Sequence, residues 1–164
     1  MITPVTSQEH IAITASLAYK IWNEHYVPII GQAQVDYMID KFQTVEAFSK
    51  QIEDAYLYFL ISHSGNFCGY LALVPDITDQ KLMISKIYVD SEYRGYGLGL
   101  KFLDFAETEA RKSNLPLLWL TVNKYNYSAI AWYRKYGFEI TTPVQFDIGN
   151  GFIMDDYIME KYLV

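Results

Sequence analysis

The chain has one cysteine, Cys68, in 164 residues. A lone thiol cannot close an internal disulfide, and such scarcity fits a reducing compartment. Within Phe67-Cys68-Gly69-Tyr70 it reads as a small buried hydrophobe rather than a nucleophile. Histidine is scarce as well. His10, His25 and His63 are scattered without ligand spacing, so no metal site is expected. Basic residues are outnumbered, 13 against 19 acidic ones, for a formal net charge of −6. A nucleic-acid surface needs basic stripes, and none is expected here. A negative field is compatible with steering a cationic acceptor. No apolar run approaches the roughly 20 residues of a membrane span, and no membrane association is expected. The start, Met1-Ile2-Thr3-Pro4, lacks the basic and apolar regions of a signal peptide, so a cytoplasmic location is expected. No repeat, linker or low-complexity stretch interrupts the chain. A hydrophobic content of 51% supplies the core of one domain spanning 1–164.

Periodicity and punctuation set out the elements. Residues 2–5 read as a short strand. Ser7 opens an amphipathic helix carrying Ile11, Ile13, Leu17, Ile21 and Trp22,. Pro28 and Gly31 interrupt it, and a second helix puts Val35, Met38, Ile39 and Phe42 on one face. Thr44 caps a third helix,. Residues 55–62 and 67–74 read as strands around a Ser64-Gly65-Asn66 turn,. Residues 81–89 form a central strand, and a helix follows from Gly97. Leu117–Val122 is the short apolar run of a strand buried on both faces,. Residues 138–145 and 152–162 close the chain as strands, with Pro143 and Asn150-Gly151 marking their edges,. The sum is an α+β or mixed α/β sheet with helices on both faces.

The most informative stretch is Tyr93-Arg94-Gly95-Tyr96-Gly97-Leu98-Gly99-Leu100. Three alternating glycines follow a strand and precede a helix. A glycine turn opening a helix exposes N–H groups that have no intrahelical partner. Together with the helix dipole they suit a phosphate, and Arg94 adds a cation able to grip it through two N–H groups. The spacing is not the G-x-G-x-x-G of a dinucleotide fold, and Gly99-Leu100-Lys101 does not complete a P-loop,. A plain helix-opening turn is the alternative. Downstream, Asn126 can open a helix, Gly137 can close it and Phe138 can begin the next strand,. Residues 82–122 therefore read as strand, phosphate turn, helix, strand, a right-handed parallel crossover.

These segments resemble the GNAT superfamily of acetyl-CoA-dependent N-acetyltransferases. Its phosphate motif, Gln/Arg-x-x-Gly-x-Gly/Ala, is matched by Arg94, Gly97 and Gly99. Its second signature, Asn-x-x-Ala-x-x-x-Tyr-x-x-x-Gly-Phe, is matched by Asn126, Ala129, Tyr133, Gly137 and Phe138. One departure is Ser91, where many members carry Pro. The resemblance implies a mixed, mostly antiparallel twisted sheet of about seven strands with one parallel crossover at the cofactor site. It implies acetyl-CoA as co-substrate and a primary amine as acceptor, whether a small amine, polyamine, amino acid or peptide amine. A bacterial type of enzyme and a homodimer are compatible with it. A silent acyl-CoA sensor of the same fold is the alternative.

The resemblance also implies roles. Backbone groups of Ile87 and Val89, with Tyr88 between them, would pair with the pantetheine arm. A backbone N–H near Val89 would polarise the thioester carbonyl. Amides of roughly Tyr96, Gly97, Leu98, Gly99 and Leu100 would hold the pyrophosphate, with Gly95 a further cofactor-binding residue. Asn126 would contact the pantetheine or cap its helix, beside Ala129. Tyr133 would be the general acid, since a phenol of pKa about 10 stays protonated at neutral pH. The base stays open among Glu24, His25, Asp155 and Asp156, with Lys86 aimed at the site or at solvent. For the acceptor, Trp22, Glu24, His25, Tyr26 and Tyr37 form either an aromatic, partly acidic mouth or ordinary helix packing, and Asp155 lies in the last strand.

Overall fold

The computed structural model describes residues Met1–Val164. The elements run β1 (Ile2–Pro4), α1 (Gln8–His25), α2 (Val27–Ile30), α3 (Gln32–Phe42), α4 (Val45–Glu53), β2 (Leu57–His63), β3 (Asn66–Asp76) and β4 (Lys81–Val89). A 3-10 turn (Ser91–Tyr93) leads to α5 (Leu98–Lys112), β5 (Leu117–Asn123), α6 (Tyr127–Lys135), β6 (Glu139–Gly149) and β7 (Phe152–Tyr162). Side chains fix the helix starts as the sequence predicts. Ser7 accepts from the His10 N–H at 3.2 Å, and Thr44 accepts from the Ala47 N–H at 3.1 Å. Each cap satisfies a donor the first turn cannot.

Seven strands make one sheet in the order β1-β2-β3-β4-β5-β7-β6. The β4–β5 pair is parallel, while β1–β2, β2–β3, β5–β7 and β6–β7 are antiparallel. The predicted mixed sheet with a single parallel crossover is thus present. The β4–β5 register runs from Lys81↔Leu117 to Met83↔Trp119 and ends there. Pro143 falls inside β6 rather than at its limit, paired with Tyr157. It is tolerated because β6 is a sheet-edge strand,.

The residues group into two compact units. The first comprises Met1–Val74 and Ser85–Ala106. Its core is built on Val35, Phe48, Leu60, Ile61, Tyr70, Leu71, Leu73 and Phe102, all fully buried. A chain of buried polar groups inside it is paired. The Trp22 indole N–H donates to the Tyr70 hydroxyl (3.2 Å), which donates to Gln43 Oε1 (3.0 Å). Gly69 marks the closest backbone approach, since a Cβ there would lie 2.6 Å from the Tyr88 carbonyl oxygen. Only a residue without a side chain lets β3 run this near β4.

The second unit comprises Pro75–Ile84 and Glu107–Val164. Leu118, Leu120, Phe138 and Met159 are its largest fully buried side chains. Tyr133 packs edge-on against Phe138, with ring centroids 5.7 Å apart. Lys161 pairs with Glu107, and Lys124 pairs with Asp155 at 2.6 Å.

Gly69→Ala is expected to destabilise the fold by about 1–3 kcal/mol, because a methyl forced against a strand carbonyl must displace backbone. A lowered denaturant midpoint at unchanged m-value would show it. An unchanged midpoint would mean that β3 and β4 separate at no cost.

Candidate functional site

In the first unit the β4–α5 connection is fastened before it reaches the glycines. The Asp90 N–H donates to the Cys68 carbonyl (2.8 Å), and Asp90 Oδ1 accepts from the Glu92 N–H (3.0 Å). Lys20 of α1 reaches Asp90 at 2.8 Å and Glu92 at 2.6 Å. Those bonds, Asp90 first, hold the Lys20 ammonium above its ordinary pKa. The Ser91 hydroxyl donates to Glu24 at 2.9 Å. Beyond this anchor Arg94, Gly95, Tyr96 and Gly97 are exposed.

Helix α5 begins at Leu98, and its first backbone bond is from the Lys101 N–H to the Gly97 carbonyl (3.0 Å). The N–H groups of Tyr96 through Leu100 donate to no backbone acceptor. Gly97 has φ +70°, and a Cβ there would touch no protein atom. Glycine is therefore required by the backbone conformation and not by crowding. Five amides at an exposed helix start form an anion cradle of the kind a diphosphate fits. The His63 ring lies against Tyr96, centroids 4.3 Å apart. Upstream on β4, Ile87, Tyr88 and Val89 are all partly exposed.

The second unit holds the other motif. Tyr133 and Asn126 are buried, at 8% and 3% exposure, and Ala129 is partly exposed. Asn126 precedes α6, but its side chain makes no capping bond. The predicted cap is corrected for a physical reason. At φ −83° and ψ 67° Asn126 is outside the extended geometry of a capping residue,, and its Oδ1 accepts instead from the Ser128 hydroxyl at 3.4 Å. The turn before it is held by Asn123, whose Oδ1 accepts from the Tyr125 N–H at 2.9 Å.

The family model for the acetyltransferase (GNAT) family matches residues 17–138, most of the chain and both motifs. The chain belongs to the GNAT family. Among curated GNAT relatives, the [ribosomal protein bS18]-alanine N-acetyltransferase of Escherichia coli K12 is 30% identical over 97 residues. That match covers 59% of this chain and 64% of the relative's length. An uncharacterised N-acetyltransferase of Mycobacterium bovis is 26% identical over 138 residues, 84% of this chain and 87% of the relative. Among solved structures, the PaiA N-acetyltransferase of Thermoplasma acidophilum, in complex with coenzyme A, superposes with a TM-score of 0.81 at 21% identity. It covers 99% of each chain and shares the fold.

Within this GNAT chain, the residues predicted to form an acceptor mouth divide. Trp22 is 5% exposed, stacked on Tyr26 at 4.3 Å and bonded to Tyr70, so it is core. Tyr26 and Tyr88 meet through their hydroxyls at 3.4 Å. Glu24 is committed to Ser91, and the His25 ring lies edge-on to Tyr26. Tyr37 carries Lys41 over its ring at 5.6 Å. Asp155 is held by Lys124.

Lys86 points neither at open solvent nor at a carboxylate. It is 7% exposed, donates to Gln51 Oε1 at 2.9 Å and sits 5.4–6.0 Å from the rings of Tyr58, Tyr56 and Phe48. Burial lowers its pKa to about 7,. Alternation along β4 carried the signal, because Lys86 shares parity with the buried Leu82 and Ile84,.

The unfolded chain keeps this lysine protonated between about pH 7 and 10.5 while the folded one releases the proton. Stability must then rise with pH across that window, by up to about 1.4 kcal/mol per unit. Lys86→Met is expected to flatten the rise and to stabilise most at the acid end, as read by denaturant midpoints from pH 6 to 10. Parallel curves for the two proteins would refute a neutral buried amine.

Proposed function

We propose that this protein is an N-acetyltransferase that moves an acetyl group from acetyl-CoA directly to a primary amine, with both substrates bound together. The five amides of Tyr96 through Leu100 that lack backbone acceptors carry this assignment, because nothing in their own helix can satisfy them,. They would take the diphosphate of coenzyme A, with Arg94 beside it. Backbone groups of Ile87 to Val89 would hold the pantetheine arm, and a backbone N–H at Val89 would stabilise charge on the thioester oxygen. Gly95, Asn126 and Ala129 complete the proposed cofactor contacts. As the amine nitrogen bonds to the carbonyl carbon, the carbon–sulfur bond breaks. Tyr133 would then give the leaving thiolate its proton. Residues 1–164 act in this proposal as one acetyltransferase domain.

The acceptor class is proposed from the relatives. One acts on an alanine of a ribosomal protein, and another, from Streptomyces lavendulae, is a streptothricin acetyltransferase, 32% identical over 85 residues. The first name points to a free amine on a peptide, and a primary amine is the acceptor class proposed here. The net charge of −6 favours such acceptors,.

A thiol-release screen tests the proposal with spermidine, an alanyl hexapeptide, streptothricin and free amino acids as acceptors. Acetyl-CoA should raise the melting temperature, and at least one amine should release coenzyme A. Gly97→Val should abolish the melting shift, since a β-branched residue resists φ +70°,. Tyr133→Phe should keep the shift and lower kcat about 100-fold. A shift with no thiol release by any amine would make the chain an acyl-CoA sensor, and neither response would remove the assignment altogether.

A further inference from the structure

The protein buries two carboxylates, Asp90 at 4% exposure and Asp156 at 3%. Asp90 is explained by Lys20 and by the Glu92 N–H. Asp156 has no cation within 4.0 Å: Lys124 is held by Asp155 and Lys161 by Glu107. What it has is one neutral donor, the Thr121 hydroxyl. A buried carboxylate with a single neutral partner is costly. An asparagine of the same shape would keep the Thr121 bond and avoid the charge.

Register places Asp156 among a particular set of side chains. It pairs with Asn123 across β5–β7, and Thr121 is its diagonal neighbour on the same face,. Trp119 follows on that face, two residues further back along β5. The Trp119 indole N–H is buried and finds no acceptor in the protein. That face carries Asp156 opposite Asn123, then Thr121 opposite Ile158, and further along Trp119 opposite Glu160, so the uncompensated acid lies at the Thr121–Asn123 end of the pair. Thr121 and Asn123 also lie beyond Trp119, the last β5 residue that β4 pairs with. β6 presents the uncharged Val144 opposite Asp156; the other acids of this face, Glu160 and its β6 partner Glu139, lie further along it.

We infer that Asp156 is the general base that takes the proton from the acceptor ammonium. This deepens the acetyltransferase assignment and rests on it. The proton passes from nitrogen to an Asp156 oxygen, the freed lone pair bonds to the thioester carbon, the carbon–sulfur bond breaks, and the thiolate is protonated by Tyr133. Asp156 returns its proton to solvent. Desolvation, then the charge of Asp155, raises its pKa to about 6, against the Thr121 bond and Lys124. A base so poised is ionised at neutral pH yet retains affinity for a proton.

The test is the pH dependence of kcat/KM from pH 5 to 10, with the amine that the screen selects. The wild type should lose activity toward acid with a midpoint near pH 6. Asp156→Asn should lower kcat/KM at pH 7 by about 100- to 1000-fold. It should lack that midpoint and recover toward pH 10, where the amine deprotonates unaided. Its melting shift with acetyl-CoA should equal the wild type's. Thr121→Val, which removes the bond favouring the carboxylate, should move the midpoint upward, and it decides the matter if Asp156→Asn fails to fold. A wild-type pH profile in both variants would overturn the inference and leave the acetyltransferase assignment standing. Absence of both thiol release and melting shift in the wild type would sink that assignment, and the base with it.

Discussion

A helix cannot satisfy its own first N–H groups, and in this chain the start of α5 leaves them at an exposed glycine bend,. Most globular proteins spend a side-chain cap on such an end, as this one does with Ser7 at α1 and Thr44 at α4. Here Arg94, Gly95, Tyr96 and Gly97 reach solvent instead. Upstream, an ion pair and two hydrogen bonds at Asp90 fix where the bend begins. The Gly69 contact lets β3 press against the carbonyl of Tyr88, so the strand feeding the bend is seated by packing,. Rigidity behind the bend and open donors within it are two sides of one design.

The elements whose signals are local were legible in the sequence. Ser7 and Thr44 marked where α1 and α4 begin. Turn residues gave the β2–β3 and β6–β7 hairpins. The family motifs, read together, gave the parallel crossover and the mixed sheet. Side-chain environments were less legible, because they depend on partners distant in the chain. Trp22 reads equally well as a mouth residue or as core, and only the Tyr70 hydroxyl, 48 residues away, decides for core. Asn126 occupies a capping position by spacing, yet its backbone angles put the carboxamide elsewhere. Asp155 and Asp156 are neighbours of the same type on one strand. Strand alternation sends one to Lys124 and buries the other without a cation,.

Lys86 and Asp156 share a logic despite opposite sign. Each is an ionisable group taken out of water and given one neutral partner, Gln51 in one case and Thr121 in the other. Burial moves both toward neutrality, the amine down and the acid up,. Lys86 ends inside a cage of rings, where its cost falls on folding. Asp156 sits at the Thr121–Asn123 end of β5, where the same cost suits a proton acceptor,.

Cys68 is wholly buried, its thiol directed to the Ile61 carbonyl, and burial raises its pKa. It is the sole sulfhydryl of the polypeptide. Maleimides and disulfide dyes, which need an accessible thiolate, therefore find no target on the native molecule. Labelling of the apo protein becomes a direct gauge of how often its core opens.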